Sequence, residues 1–234
     1  MAYADWANFH PYILKLEQEG RVTRTFRRLD PERQQAVLNA ILEEAAEKGP
    51  ASLNITDVAR RAEVSVGSLY QYFPKGGGLL DFAIELCVRY TTGMMQEYKP
   101  MLAALPLKEA LSAYLMGGLE WGQTAAGLMR FFGRAAYQGD PDLAERVVYP
   151  IATVFRETTH EILAQAAVRG EIRPEVDIEA AARVVNSLII AVGDSQVLPY
   201  LNTYFQVSDE SVPPARVMEA LFVLVLRGIG VEAK

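Results

Sequence analysis

Between Ser65 and Tyr72 the chain places Ser65, Ser68, Tyr70, Gln71 and Tyr72, hydroxyl and carboxamide groups, and no Asp or Glu occurs from Val64 to Leu80. Without a histidine or carboxylate as base, such groups do no acid–base or nucleophilic chemistry. They can donate to phosphate oxygens and pair with the edges of bases. The hydroxyls of Ser68, Tyr70 and Tyr72 suit phosphate, Gln71 suits a base edge, and Val66 suits a thymine methyl.

Catalytic constellations are missing. The two histidines, His10 and His160, lie far apart in sequence without a neighbouring ligand pattern, so neither a metal site nor a His-based triad is expected. There is no P-loop and no GxGxxG fingerprint, and Gly67-Ser68 is not part of a GxSxG elbow. The single cysteine, Cys87, sits in the apolar run FAIELCVRY and reads as a small buried hydrophobe. No enzyme activity, metal or cofactor is expected.

Two short helices must position the polar run. Asn54 is a helix cap with Asp57 three positions on, and Ile55, Val58, Ala59 and Ala62 give the buried side of the first helix. Val64 fills a turn and Ser65 caps the second helix, whose Leu69 and Phe73 face the first. Val66, Gly67, Ser68, Tyr70, Gln71 and Tyr72 are then left facing outward. A helix start is also a phosphate site, so Asn54 and Ser65 join the candidate DNA-facing set.

This stretch resembles the DNA-binding region of the tetracycline-repressor (TetR) family of bacterial transcriptional regulators, most strongly over Asp30 to Leu80. The resemblance is carried by Val58-Ala59, Val64-Ser65, Gly67-Ser68-Leu69-Tyr70 and Tyr72-Phe73-Pro74. It implies a helix-turn-helix whose second helix enters the major groove. The sequence departs from the family at two places. Glu63 stands where the inter-helix turn usually has Gly, and must accept a strained backbone or shift the turn. Lys75-Gly76-Gly77 replaces the usual Asn-Lys-Glu, so the phosphate-binding lysine falls at Lys75, one position early.

The 234 residues are half hydrophobic, and no apolar run approaches the roughly 20 residues needed to span a membrane. The N-terminus lacks a signal-peptide pattern, and a cytoplasmic protein is expected. The net charge of −6 opposes DNA, but residues 1–80 hold ten basic and ten acidic residues, so the deficit lies in the rest.

An all-α fold is predicted, without strand patterns or repeats. An extra helix over 5–19 carries Trp6, Phe9, Ile13 and Leu16 on one face, followed by Arg21, Arg24, Arg27 and Arg28, either a solvated linker face or an arm touching DNA. Asp30-Pro31 opens the next helix, with Val37, Leu38, Ile41, Leu42 and Ala45 as its apolar stripe. A longer helix is expected over 79–98, then segments near 106–122, 125–137, 141–170, 177–204 and 213–229, with Pro150 and Pro199 kinking or interrupting two of them. The expected domains are an N-terminal extension over 1–29, the helix-turn-helix domain over 30–78 and an effector-binding and dimerisation domain over 79–234.

The downstream part is rich in aromatic and Met residues interleaved with glycines that pack poorly, a pattern that leaves room for a ligand. Tyr114, Trp121, Met129, Phe131, Phe132, Tyr137, Tyr149 and Phe155 are the candidate ligand-binding residues. The family resemblance implies an inducer there, and a hydrophobic or amphipathic small molecule is the expectation. Val185, Leu188, Ile189 and Val192, with Met218, Leu221, Phe222 and Val225, form two apolar stripes. The resemblance implies that the last two long helices make a four-helix homodimer bundle.

The expected protein is thus a ligand-responsive regulator, a repressor, binding a palindromic double-stranded DNA operator as a homodimer, with no membrane. The alternative is a helical small-molecule-binding or scaffold protein whose helix-turn-helix has lost DNA affinity.

Overall fold

The computed structural model describes residues 9–74 and 78–231, with the side chains of 119–124 left aside. The described residues form helices, and the single bridge pair, Ile172 with Gly230, is their only β-type pairing. No helix among them is long and apolar enough to cross a membrane.

The chain forms two compact units that do not follow a single cut in the sequence. The first comprises residues 1–92 and 124–151, the second 93–123 and 152–234.

In the first unit, α1 (His10–Gln18) and α2 (Arg24–Arg27) form the N-terminal extension. Phe9, Ile13 and Leu16 are buried as their spacing predicts, and Trp6 lies outside the described residues. α3 (Pro31–Lys48) starts where Asp30 accepts the Arg33 N–H at 2.9 Å, with Pro31 in the first turn, whose N–H would have no partner anyway. Its stripe Val37, Leu38, Ile41, Leu42 and Ala45 is buried. α4 (Ile55–Arg61) is capped by Asn54, whose Oδ1 accepts from Thr56 N at 2.9 Å and Asp57 N at 3.3 Å. α5 (Val66–Tyr72) is capped by Ser65, accepting from Ser68 N at 3.0 Å.

The expected strain at Glu63 is real. Its φ is +54°, the left-handed conformation that glycine would adopt freely, and the Val64 N–H closes the turn on the Ala59 carbonyl at 3.0 Å. α8 (Ala126–Gln138) lies on α3, where a Cβ at Gly127 would come within 3.0 Å of Leu42 Cδ1.

Pro100 does not end α6 (Gly78–Ala104), which runs past the predicted limit at Tyr98. One backbone bond is lost, but Gln96, whose carbonyl loses its partner, is exposed to water, which can satisfy it. Further on, the Arg169 guanidinium donates to the carbonyls of Ala103 at 2.9 Å and Leu105 at 2.7 Å, closing that helix end.

Pro150 is likewise absorbed. The path α9 (Pro141–Leu143) to α10 (Tyr149–Val168) stays helical through a π turn at Ala144–Val148, which widens the ladder just ahead of the residue without an N–H. Pro199 does interrupt, separating α11 (Ile178–Val197) from α12 (Pro199–Phe205).

The second unit is centred on Leu111 and Leu115 of α7 (Leu107–Thr124), Ile162 and Leu163 of α10, Val185 and Val192 of α11, and Met218, Leu221 and Val225 of α13 (Pro214–Ile229). This corrects the expectation for these apolar stripes. Five of the eight predicted dimer residues, Val185, Val192, Met218, Leu221 and Val225, are buried within the unit's own core, because α11 and α13 pack against α7 and α10 through those faces. Ile189 and Phe222 pack partly against this core and Leu188 is exposed.

Candidate nucleic-acid interface

α5 presents one wet face and one buried face. Leu69 and Phe73 are buried, whereas Ser65, Gly67, Tyr70 and Gln71 are exposed, Tyr70 at 58% of its full area. Val66 and Ser68 lie half-buried between them. The Ser65 and Ser68 hydroxyls are 2.8 Å apart, so the cap and the first turn share one hydrogen-bonded pair at the helix start. Lys75 lies outside the described residues.

Tyr72 is a correction to the sequence expectation. It is only 8% exposed, its ring tilted against Phe26 at 5.9 Å and edge-on to Phe73 at 6.4 Å. The cause is the N-terminal extension. Phe26 of α2 inserts among Phe73 and Phe82, with ring centroids 5.2 and 5.3 Å away, and covers the C-terminal end of α5. Burying such a ring contributes about 1.5–3 kcal/mol to the packing of the extension against α5. No local periodicity in α5 could have signalled a partner more than forty residues upstream.

The basic residues of the helix-turn-helix are engaged with acids. Lys48 Nζ lies 2.6 Å from Asp57 Oδ2 and 2.7 Å from Glu44 Oε1, and Arg61 Nε lies 3.0 Å from the Glu44 carboxylate, which is 0% exposed. Arg61 also pairs with Glu47, and Arg60 with Asp57 at 3.2 Å. Hydrogen bonds from Lys48 and then Arg60 hold the Asp57 carboxyl below its ordinary value, and Asp57 and Glu44 raise Lys48. This network fastens α3 to α4 and so fixes the frame from which α5 projects. Charge counting in the sequence missed it, because pairing across elements is set by packing.

The candidate ligand residues separate. Phe131 and Phe132 are buried in the core of the first unit, with Met129 half-buried on the same helix. Tyr137 and Tyr149 belong to the same unit and are exposed, Tyr149 at 72%, so they do not line an enclosed ligand site. Their positions at the end of α8 and the start of α10 turn them to solvent. Tyr114 and Phe155 belong to the second unit, and Trp121 is among the residues whose side chains are not described. Tyr114 packs against the second core. Burial pushes its hydroxyl up to about 12, opposed by a hydrogen bond with Thr159.

Residues 37–81 match the family of bacterial regulatory proteins described as tetR. No curated protein matches the sequence. Among solved structures, a TetR family transcriptional regulator from Chloroflexus aurantiacus is 19% identical with a TM-score of 0.65, over 90% of this chain and 99% of that chain. A Saccharomonospora viridis regulator solved with choline is 14% identical, with a TM-score of 0.64 over 86% of this chain and 99% of that one. SmeT, solved with triclosan, is 17% identical, with a TM-score of 0.63 over 86% and 93%. These likenesses are of fold. With the capped, acid-free helix face, the match over residues 37–81 shows a tetR-type helix-turn-helix DNA-binding region, set in an all-α body with the fold of TetR family regulators.

Proposed function

We propose that the protein is a ligand-responsive repressor that binds a palindromic operator as a homodimer, with Ser65, Val66, Gly67, Ser68, Tyr70 and Gln71 facing the major groove. The observation that carries this reading is the exposed face of α5, free of carboxylates and opened by the Ser65 cap. Gln71 reads a base edge and the hydroxyls of Ser68 and Tyr70 hold phosphates. Acting on DNA, the protein works in the cytoplasm.

The capped α5 with its exposed polar face weighs against the alternative of a lost DNA function. Structurally similar proteins hold choline and triclosan, which supports a small-molecule effector here. Tyr114 and Phe155 are the ligand-facing candidates that remain, and a mainly apolar ligand with one polar group to meet the Tyr114–Thr159 pair fits them. For the dimer, the face moves from the buried stripe to its exposed flank, Val184 and Leu188 on α11 and Leu224 on α13, the last 64% exposed. Two copies of α5 about 34–36 Å apart would meet successive major-groove turns, and ligand need only alter that spacing.

Selection of bound duplexes from a random pool by the purified protein tests the reading. The expected result is an enriched palindrome, with Gln71→Ala losing preference for it over a scrambled duplex. Leu224→Asp should convert the sedimenting dimer to monomer and weaken operator binding. Absence of any enriched sequence, or a protein that sediments as a monomer while binding normally, would overturn it.

A further inference from the structure

The charged residues of the N-terminal extension are unequally placed. Arg27 pairs with Glu17, Arg21 lies 3.6 Å from Asp81, and Glu19 is held by Arg89 at 2.9 Å. Arg24 and Arg28 are exposed, and among the described residues their side chains have no acidic partner. Arg24 and Arg28 are one helical turn apart and share a face, with the buried Phe26 turned the other way.

The residue that precedes this face is bonded to α5. Thr23, next to Arg24, donates its N–H to the Tyr72 carbonyl at 2.9 Å and its hydroxyl to the Gln71 carbonyl at 2.6 Å. The backbone that carries Arg24 is therefore tied to the last turn of the helix placed in the groove. The cations of α3 and α4, by contrast, are spent on carboxylates: Arg33 with Asp30, Lys48 with Glu44 and Asp57, Arg60 with Asp57, Arg61 with Glu44. A DNA-binding unit with this internal pairing needs free positive charge from elsewhere, because phosphate neutralisation supplies the sequence-independent part of affinity.

We infer that Arg24 and Arg28 form a second DNA contact, binding backbone phosphates that flank the bases facing α5. The inference rests on the reading of α5 as the DNA-facing helix. It divides labour in the unit: α5 discriminates sequence, and the arginines of α2 add charge without reading bases.

The test is the salt dependence of binding by full-length protein to a duplex selected from the random pool, alongside a scrambled duplex. Each lost phosphate contact lowers the slope of log K against log salt by about 0.9, so Arg24→Gln with Arg28→Gln should lower it by about 1.8 per bound protomer. Affinity for the selected and the scrambled duplex should fall by the same factor. Arg24→Lys with Arg28→Lys should keep the wild-type slope. An unchanged slope in the glutamine variant, or a slope lost equally in the lysine variant, overturns this inference while leaving α5 as the reader. If the wild-type protein itself forms no duplex complex at low salt, the DNA reading falls and this inference with it.

Discussion

The Thr23 hydroxyl donates to the Gln71 carbonyl at 2.6 Å, across 48 positions of sequence. Its backbone N–H takes the neighbouring Tyr72 carbonyl at 2.9 Å. Carbonyls in the last turn of a helix have no partner within it, so the extension supplies what α5 lacks. Thr23 also caps α2, accepting from Phe26 N at 3.4 Å. One residue thus fixes both the start of α2 and the end of α5.

Replacing Thr23 with valine keeps the shape and removes the hydroxyl. Loss of one cap and one hydrogen bond should cost about 1–2 kcal/mol in urea unfolding, while Thr23→Ser should stay near wild type. DNA affinity should drop in the valine variant through fraying of the last turn of α5.

Arg61→Met leaves the buried Glu44 carboxylate with Lys48 alone. Breaking a buried pair from one side should destabilise the protein by about 3 kcal/mol, read from the urea midpoint. The double variant Glu44→Leu, Arg61→Met should recover most of that loss, because no buried charge then remains unpaired.

Acid should weaken the first unit. Hydrogen bonds from Lys48 lower Asp57 from its ordinary 3.8, and those from Arg89 lower Glu19 from 4.5. A depressed carboxyl means that the unfolded chain takes up its proton first. The stabilising contribution is therefore complete above those ordinary values and disappears as pH falls through the lower folded ones. Urea midpoints followed from neutral pH into that range should decline, and Asp57→Asn should start lower at neutral pH and decline less.

Cys87 is fully buried, with its Sγ 3.7 Å from the Leu128 carbonyl, and burial pushes the thiol up to about 12. Almost no thiolate exists at neutral pH, so a thiol reagent should label the native protein only at the rate of unfolding. Labelling in denaturant should be complete and fast.

The strongly periodic elements were legible. Asp30-Pro31 opened α3, its apolar stripe was buried, and Asn54 and Ser65 capped where their side chains allow. Glu63 in place of the usual Gly left a strained backbone or a shifted turn open, and φ +54° shows the strained backbone. Prolines were read too rigidly, because a helix can route around a missing N–H by a π turn at Ala144–Val148 or by exposing the orphaned carbonyl near Pro100. The site was legible where it depended on one helix. Tyr72 was misplaced because the ring that covers it, Phe26, arrives from another element. The apolar stripes of α11 and α13 were visible, but periodicity does not say which part of a wide stripe faces the subunit's own core.

α5 has only seven residues, Val66–Tyr72, and at 1.5 Å rise it is about 10 Å long. At roughly 3.4 Å between stacked nucleotides, that length spans about three base pairs. With its last residue tucked beneath Phe26, a single copy of such a helix holds too little vocabulary to single out one address in a genome. In the proposed dimer, discrimination then comes from grammar, the distance and orientation between two short words, which makes a small change in separation enough to render the address unreadable.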